Sequence, residues 1–373
     1  MMRGIKDIKG INEEQKGGIG KMRIIKQIII LSLVMVMGCR QQEQEPGKQN
    51  GVGSGLSRAM MEVGRSAENA FYAFLELVSD VLGFTAKSGT KKEEVGKYFN
   101  SLGNKLGDAS NELEEIAKKA TAGVDKNDAS KNPIRIAVDT AKEVLSSLKT
   151  HLESLVTVGD ENVVGEANSV AGVGTVAEEN VLKKALKSLQ GIVSIAKSVG
   201  VPELKTASIT LQAVGGVDNK DGAKILSTNT NPVAQDAAKA ALIVSAVSGE
   251  EMLDSIVKSN EGDAAVGAAD ANGSTSAISF AKGGTAANLA KEAAKAAAVA
   301  GGIALRSLVK NGKLATAAAA GNAGGQGEVQ AVGVTAANKL LVAVEDIIKK
   351  TVKDVLEKAK GKIDEARNPK AAG

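Results

Sequence analysis

The sequence predicts an all-α, multi-helix domain interrupted by long glycine- and alanine-rich loops and carried behind an export leader. Three observations lead there. Apolar residues recur every three or four positions in several long stretches, the period of an amphipathic helix. Aromatic residues make up only 2% of the chain, Trp is absent and Gly numbers 42, so the core must be built from Ala, Val, Leu and Ile. Small side chains let helices approach closely but bury little area each, so stability depends on long interfaces. Finally, several segments combine Gly, Ala, Asn, Asp and Ser with little that could line a core, and these read as loops.

The leader comes first. Lys21, Arg23 and Lys26 precede the apolar run 28–37, and Gly38 and Cys39 close it before the polar stretch 40–46. A basic start, a short apolar core and a small residue before the break describe a signal peptide over 1–38, cleaved between Gly38 and Cys39. Met22, as an alternative start, gives a leader of conventional length. The run is far shorter than the roughly 18–20 residues a bilayer-spanning helix needs, which excludes a transmembrane anchor. Cys39 is the only cysteine. Placed directly after the break it reads as a bacterial lipidation site, with diacylglycerol on the thiol and an acyl chain, such as palmitate, on the freed amine. Val36-Met37-Gly38-Cys39 is an imperfect lipobox, since Met37 is bulkier than usual at its place. With that cysteine committed to lipid there is no disulfide framework. Residues 39–55 follow as a polar, Gly-rich tether without periodicity, and the structured domain is expected over 56–373.

Within the domain, Phe71, Phe74, Leu75, Val78, Val81 and Leu82 give the first helical stripe. Most of the aromatics gather here (Phe71, Tyr72, Phe74 and Phe84, then Tyr98 and Phe99), which reads as core packing. Further helices are predicted over 91–120 and over 133–157, the second with Asn132 as cap and Pro133 in its first turn. Ile136, Val138, Val144, Leu145, Leu148, Leu152 and Leu155 form the apolar side of the second. Residues 176–199 form another helix, and shorter ones are expected near 235–258 and 286–310. The last helix is the clearest. Leu340, Leu341, Val344, Ile347, Ile348, Val352, Val355, Leu356, Ala359 and Ile363 line one face, and Lys349, Lys350, Lys353, Asp354, Glu357 and Lys358 crowd the other. The interspersed acids favour packing on the core over a membrane-surface role. The loops are then 158–175, 214–223, 260–285 and 317–334.

Charge excludes one class of function. Residues 1–38 carry seven Lys and Arg against three acids, a net of +4 that equals the net charge of the whole chain. The mature part is left with 40 of each sign, so the basic pI belongs to the leader and does not argue for nucleic-acid binding. Catalytic motifs are also missing. His151, the sole histidine, lies inside a helical pattern with no cysteine partner and reads as a surface or boundary residue. The sequence has no GxxxxGK[ST], HExxH or GxSxG. Gly51-Val52-Gly53-Ser54-Gly55 lies in the tether, and Asp218-Asn219-Lys220-Asp221-Gly222 has the wrong acid spacing for a calcium loop. Both read as turns. No enzyme, cofactor or metal is expected.

Residues 300–315, Ala-Gly-Gly-Ile-Ala-Leu-Arg-Ser-Leu-Val-Lys-Asn-Gly-Lys-Leu-Ala, read as a short helix closed by an Asn-Gly turn, with Ile303, Leu305, Leu308 and Val309 apolar. This stretch resembles the Ile-Ala-Leu-Arg…Lys-Asp-Gly-Lys-Phe-Ala framework segment of variable surface lipoproteins of Lyme-disease and relapsing-fever spirochaetes. Asn311 stands for the acidic residue and Leu314 for the aromatic one. Residues 97–103, 132–135 and the helix 344–363 are similar to framework pieces of the variable large protein family, so the resemblance spans the mature chain. It implies an elongated helical domain with both ends near the membrane and variable loops at the far end. It also implies an outer-membrane lipoprotein facing outward, whose members are switched to evade host antibody. Ile303, Leu305, Arg306, Leu308, Lys310, Gly312 and Lys313 would be framework residues, partly buried. The expected partners are outer-membrane lipid through Cys39 and host antibodies, and not nucleic acid, with a homo-oligomer or dense surface array left open. An adhesin or host-ligand-binding lipoprotein is the alternative, against which stand few exposed aromatics and a neutral mature charge.

Overall fold

The computed structural model describes residues 83–122 and 132–367. The leader, Gly38, Cys39, the tether and the stripe Phe71–Leu82 lie outside these residues. Among the described residues the regular structure is helical, and pairing between extended segments is limited to isolated bridges.

Helix α1 (Lys92–Ala120) pairs with α2 (Pro133–Leu155) along a seam of large aliphatic side chains. Leu102, Leu106, Leu113 and Ile116 meet the face carrying Val138, Leu145, Leu148 and Leu152, and all eight are buried. The start of α2 follows its sequence: the Asn132 carboxamide oxygen accepts from Ile134 N at 2.9 Å and Arg135 N at 3.3 Å, beside Pro133. Ile136, expected on the apolar side, is instead about half exposed. Helix α3 (Glu179–Ser198) packs on the other side of α2.

The region 235–258 forms two helices, α4 (Ala234–Ser245) and α5 (Gly249–Val257), where one was expected. The break has a sequence signature, because Ser248 and Glu251 make a capping box. Ser248 Oγ accepts from Glu251 N at 3.2 Å, and Glu251 Oε2 accepts from Ser248 N at 2.8 Å. The end of α4 is capped from a distance. Lys339 Nζ donates to the carbonyls of Val244, Ser245 and Val247 at 2.8, 3.2 and 2.7 Å.

Residues 286–310 likewise divide, into the short α7 (Ala286–Leu289) and α8 (Ala296–Leu308). Helix α8 is apolar all round, Ala-Ala-Ala-Val-Ala-Gly-Gly-Ile-Ala-Leu, and such a helix must be buried on every side. It is: every residue from Ala296 to Ser307 is buried. Around it pack α1, α4, α5, α6 (Ala277–Lys282) and the last helix, α9 (Gln326–Arg367). Gly302 permits the contact with α6, since a Cβ there would stand 2.5 Å from Phe280 Cβ. Helix α9 runs 42 residues, about 63 Å at the rise of an α-helix. Its predicted apolar face is buried throughout, on α2, α3, α4, α5 and α8, as core packing requires.

Two of the stretches read as loop contain helix. Helix α6 lies inside 260–285, and residues 326–334 are the first turns of α9. The stretch 214–223 opens on a 3-10 turn, Val214–Gly216, and a second 3-10 helix, Lys220–Leu226, closes it. Ala, Gly and Ser carry too weak a periodicity to reveal such elements, which form because their backbone is enclosed.

Candidate functional site

Each of the four stretches has a buried base and an exposed tip. In 158–175, Val158, Val164, Ala167 and Gly174 are buried, while Val170 and Val173 face solvent. Val214, Asn219 and Ala223 are buried around the exposed run 215–218. Val266 and Ala271 are buried, whereas 267–270 and 272–274 are exposed. Residues 319–323 are exposed above the buried Gly324 and Gly325. The bases hold by backbone hydrogen bonds. Isolated bridges join Ala167 to Leu314, Gly172 to Thr316 and Thr175 to Lys313, and join both Ser227 and Val266 to Gly284. Asn219, read as turn chemistry, is such a base residue, its Nδ2 donating to Val214 O at 2.8 Å. Asp221 of the same motif is held by Lys224 at 2.7 Å and Lys239 at 2.6 Å.

Most of these ties end on the segment 303–316. Gly165 N donates to Ser307 O at 3.1 Å, Lys310 N to Val158 O at 2.9 Å and Leu314 N to Glu166 O at 2.8 Å. Of the predicted framework residues, Ile303, Leu305, Arg306 and Gly312 are buried, Leu308 and Lys313 are half-buried, and Lys310 is exposed. Helix α8 ends at Leu308, ahead of the Asn-Gly pair, and Val309 is extended. The following turn puts Asn311 at φ 64, with Gly312 N donating to Val309 O at 3.1 Å. Asn is among the few non-glycine residues that tolerate this left-handed backbone. Lys313 pairs with Glu166 at 3.0 Å, and Lys310 with Glu178 at 3.5 Å.

Sequence reasoning missed the residue beneath this turn. Lys92, at the first position of α1, is fully buried, with Nζ donating to Gly312 O at 2.7 Å and Val309 O at 3.3 Å. Burial pulls its pKa down, outweighing the Asp160 and Glu166 carboxylates, the latter 3.9 Å away. Asp160 also serves the turn, accepting from Asn311 N at 2.8 Å and Asn162 N at 3.0 Å. Burial raises that carboxyl, but the Asn311 N–H, the Lys92 ammonium and Asn162 together outweigh it and hold it low. No pattern in the sequence marks Lys92, since a lysine opening an amphipathic helix is ordinarily solvated.

Nothing in this arrangement groups a nucleophile, base and oxyanion donors around an open site. Among the described residues no group of three His, Cys, Asp or Glu could hold a metal ion. Nor is any described helix long and apolar enough to cross a membrane. His151, half-buried in α2, packs its ring on Gly191 of α3, where a Cβ would stand 2.2 Å from the imidazole.

Comparison with known proteins fits this picture. The Borrelia lipoprotein family model matches residues 67–363. Variable large protein 7 of Borrelia hermsii is 64% identical over 353 residues, 94% of this chain and 95% of that protein. Variable large protein 21 of the same organism is 56% identical over 362 residues, 95% and 97% of the two chains. The crystal structure of the Lyme disease variable surface antigen VlsE of Borrelia burgdorferi superposes with a TM-score of 0.64. It is 25% identical and covers 82% of this chain and 98% of its own.

Proposed function

The chain belongs to the Borrelia lipoprotein family, among its variable large proteins, and from that premise we propose that it is a lipid-anchored antigen of the outer cell surface. This is a family of surface antigen lipoproteins and not of enzymes. Cys39 carries the lipid, residues 39–55 lift the domain from the outer membrane, and the loop tips meet host antibody. The observation that carries the reading is the split of each loop into a buried base and an exposed tip. Tips rich in Gly, Ala, Asn and Ser, with Val170, Val173 and Val217 exposed among them, can change with little effect on folding, while the bases hold the backbone that displays them. Antibody raised to one version then loses its contacts when another is displayed, which is antigenic variation in physical terms.

Antibody footprinting on intact cells tests this. Protection is expected at residues 168–173, 215–218, 267–274 and 319–323. Protection confined to α1, α2 and α9 would overturn the assignment. Protease treatment of intact cells tests the location: a surface protein is cut at these tips, whereas resistance would put the chain behind the outer membrane. A saturable host ligand lost on deletion of one tip would favour the adhesin reading.

A further inference from the structure

We infer that Arg306 is a positioning residue that fastens the bases of three loops to one another, so that their tips keep a fixed relation while their sequences change. The inference rests on the antigen reading for the meaning of the tips, and on geometry alone for the tie. Arg306 leaves the last turns of α8 with its guanidinium wholly enclosed. Nε and Nη2 donate to Ala281 O at 2.9 and 2.7 Å, in the third loop, and Nη1 donates to Leu226 O at 2.8 Å, where the second loop closes. The first loop completes the enclosure. A Cβ on Gly174 would stand 2.9 Å from Nη1, and one on Gly283 would stand 2.2 Å from Nη2.

Among the described residues no acidic side chain pairs with Arg306, so carbonyl dipoles do the work that water would do outside. Burial lowers its pKa to about 9, which leaves the guanidinium charged at neutral pH. An enclosed charge is tolerated only when its donors are used, and the flat guanidinium fork reaches carbonyls on two sides at once. Lysine, with one nitrogen, cannot reproduce that fork. The three bases also hold one another around it. Gly174 N donates to Ser227 O at 2.7 Å, and Thr228 N donates to Gly284 O at 3.0 Å. The hydrogen bonds of Arg306 go to the second and third loops, and the fourth receives none.

Hydrogen–deuterium exchange on the purified full-length chain tests the tie. In Arg306→Met the amides of 172–176, 225–230 and 281–285 are expected to exchange at least about tenfold faster, together, with those of α1 and α2 unchanged. Arg306→Lys is expected to fall between. Leu145→Ala, equally buried but in the α1–α2 seam, must instead raise exchange in α1 and α2. Acceleration confined to 281–285, or spread evenly over all helices, would overturn the inference. If Arg306→Met does not fold, Arg306→Lys carries the same test, because it keeps the charge and loses the fork; loosening at 281–285 alone again refutes the tie. No antibody enters this measurement, so its failure and that of the footprinting are read separately.

Discussion

The α1–α2 seam and the loop bases around α8 are held by opposite means. In the seam, large aliphatic side chains interlock, and the helices satisfy their own backbones. In α8 most side chains are small, and around it hydrogen bonds run between distant backbone segments, with Lys92 and Arg306 buried against carbonyls. A seam of that kind constrains nearly every inward residue, because each contributes area and volume. A backbone network constrains only the few residues that complete it. The second arrangement therefore leaves the rest of each loop open to change, and this is where a varying surface belongs.

Four measurements break or sharpen that contrast. Leu148→Ala in the seam is expected to cost about 2–5 kcal/mol in chemical denaturation, through lost burial and the cavity left behind; a cost near zero would remove the seam as the stabilising element. Lys92→Met is expected to cost less, about 1–3 kcal/mol, because it leaves the Gly312 carbonyl unpaired and leaves Val309 O with the Gly312 N–H alone. Its signature is faster exchange at 309–313, and a neutral result there would mean that the buried ammonium holds nothing. Val170→Ser and Val217→Ser, at exposed tips, should shift stability by no more than about 0.5 kcal/mol. A larger loss at either would show that the tips are structural and the contrast false.

The smallest effect concerns pH. Burial against α3 lowers the His151 pKa below its ordinary value of 6.5. The folded chain thus binds this proton less readily than the unfolded one, and stability falls as pH drops below that value. His151→Gln should flatten this slope between pH 7 and pH 5.5. An unchanged slope would assign it to other groups.

The long helices were legible because their stripes consist of Leu, Ile and Val with charges opposite, as in α9. Asn132-Pro133 marked a helix start through capping chemistry that needs only local residues, whereas the same kind of signature in Ser248-x-x-Glu251 lay unread inside a region taken as one helix. Helix α6 escaped because Ala-Ile-Ser-Phe-Ala-Lys is too short for a period to register. Ile136 was misplaced since one aliphatic residue off the stripe looks like its neighbours until the partner helix is in place. The framework segment was recognisable, yet its depth of burial was not, and Lys92 carried no signal at all.

The sequence by itself determined the long helices and most of their inward faces, the leader pattern ending at Cys39 and the family, since each depends on residues close together in the chain. Only the tertiary structure decided that Arg306 and Lys92 are interior, that the loop bases are fixed, and which parts of each loop face outward. Those properties arise from groups 25 to 220 residues apart in the chain meeting around α8, and hydrogen bonds to backbone carbonyls leave no mark on side-chain composition.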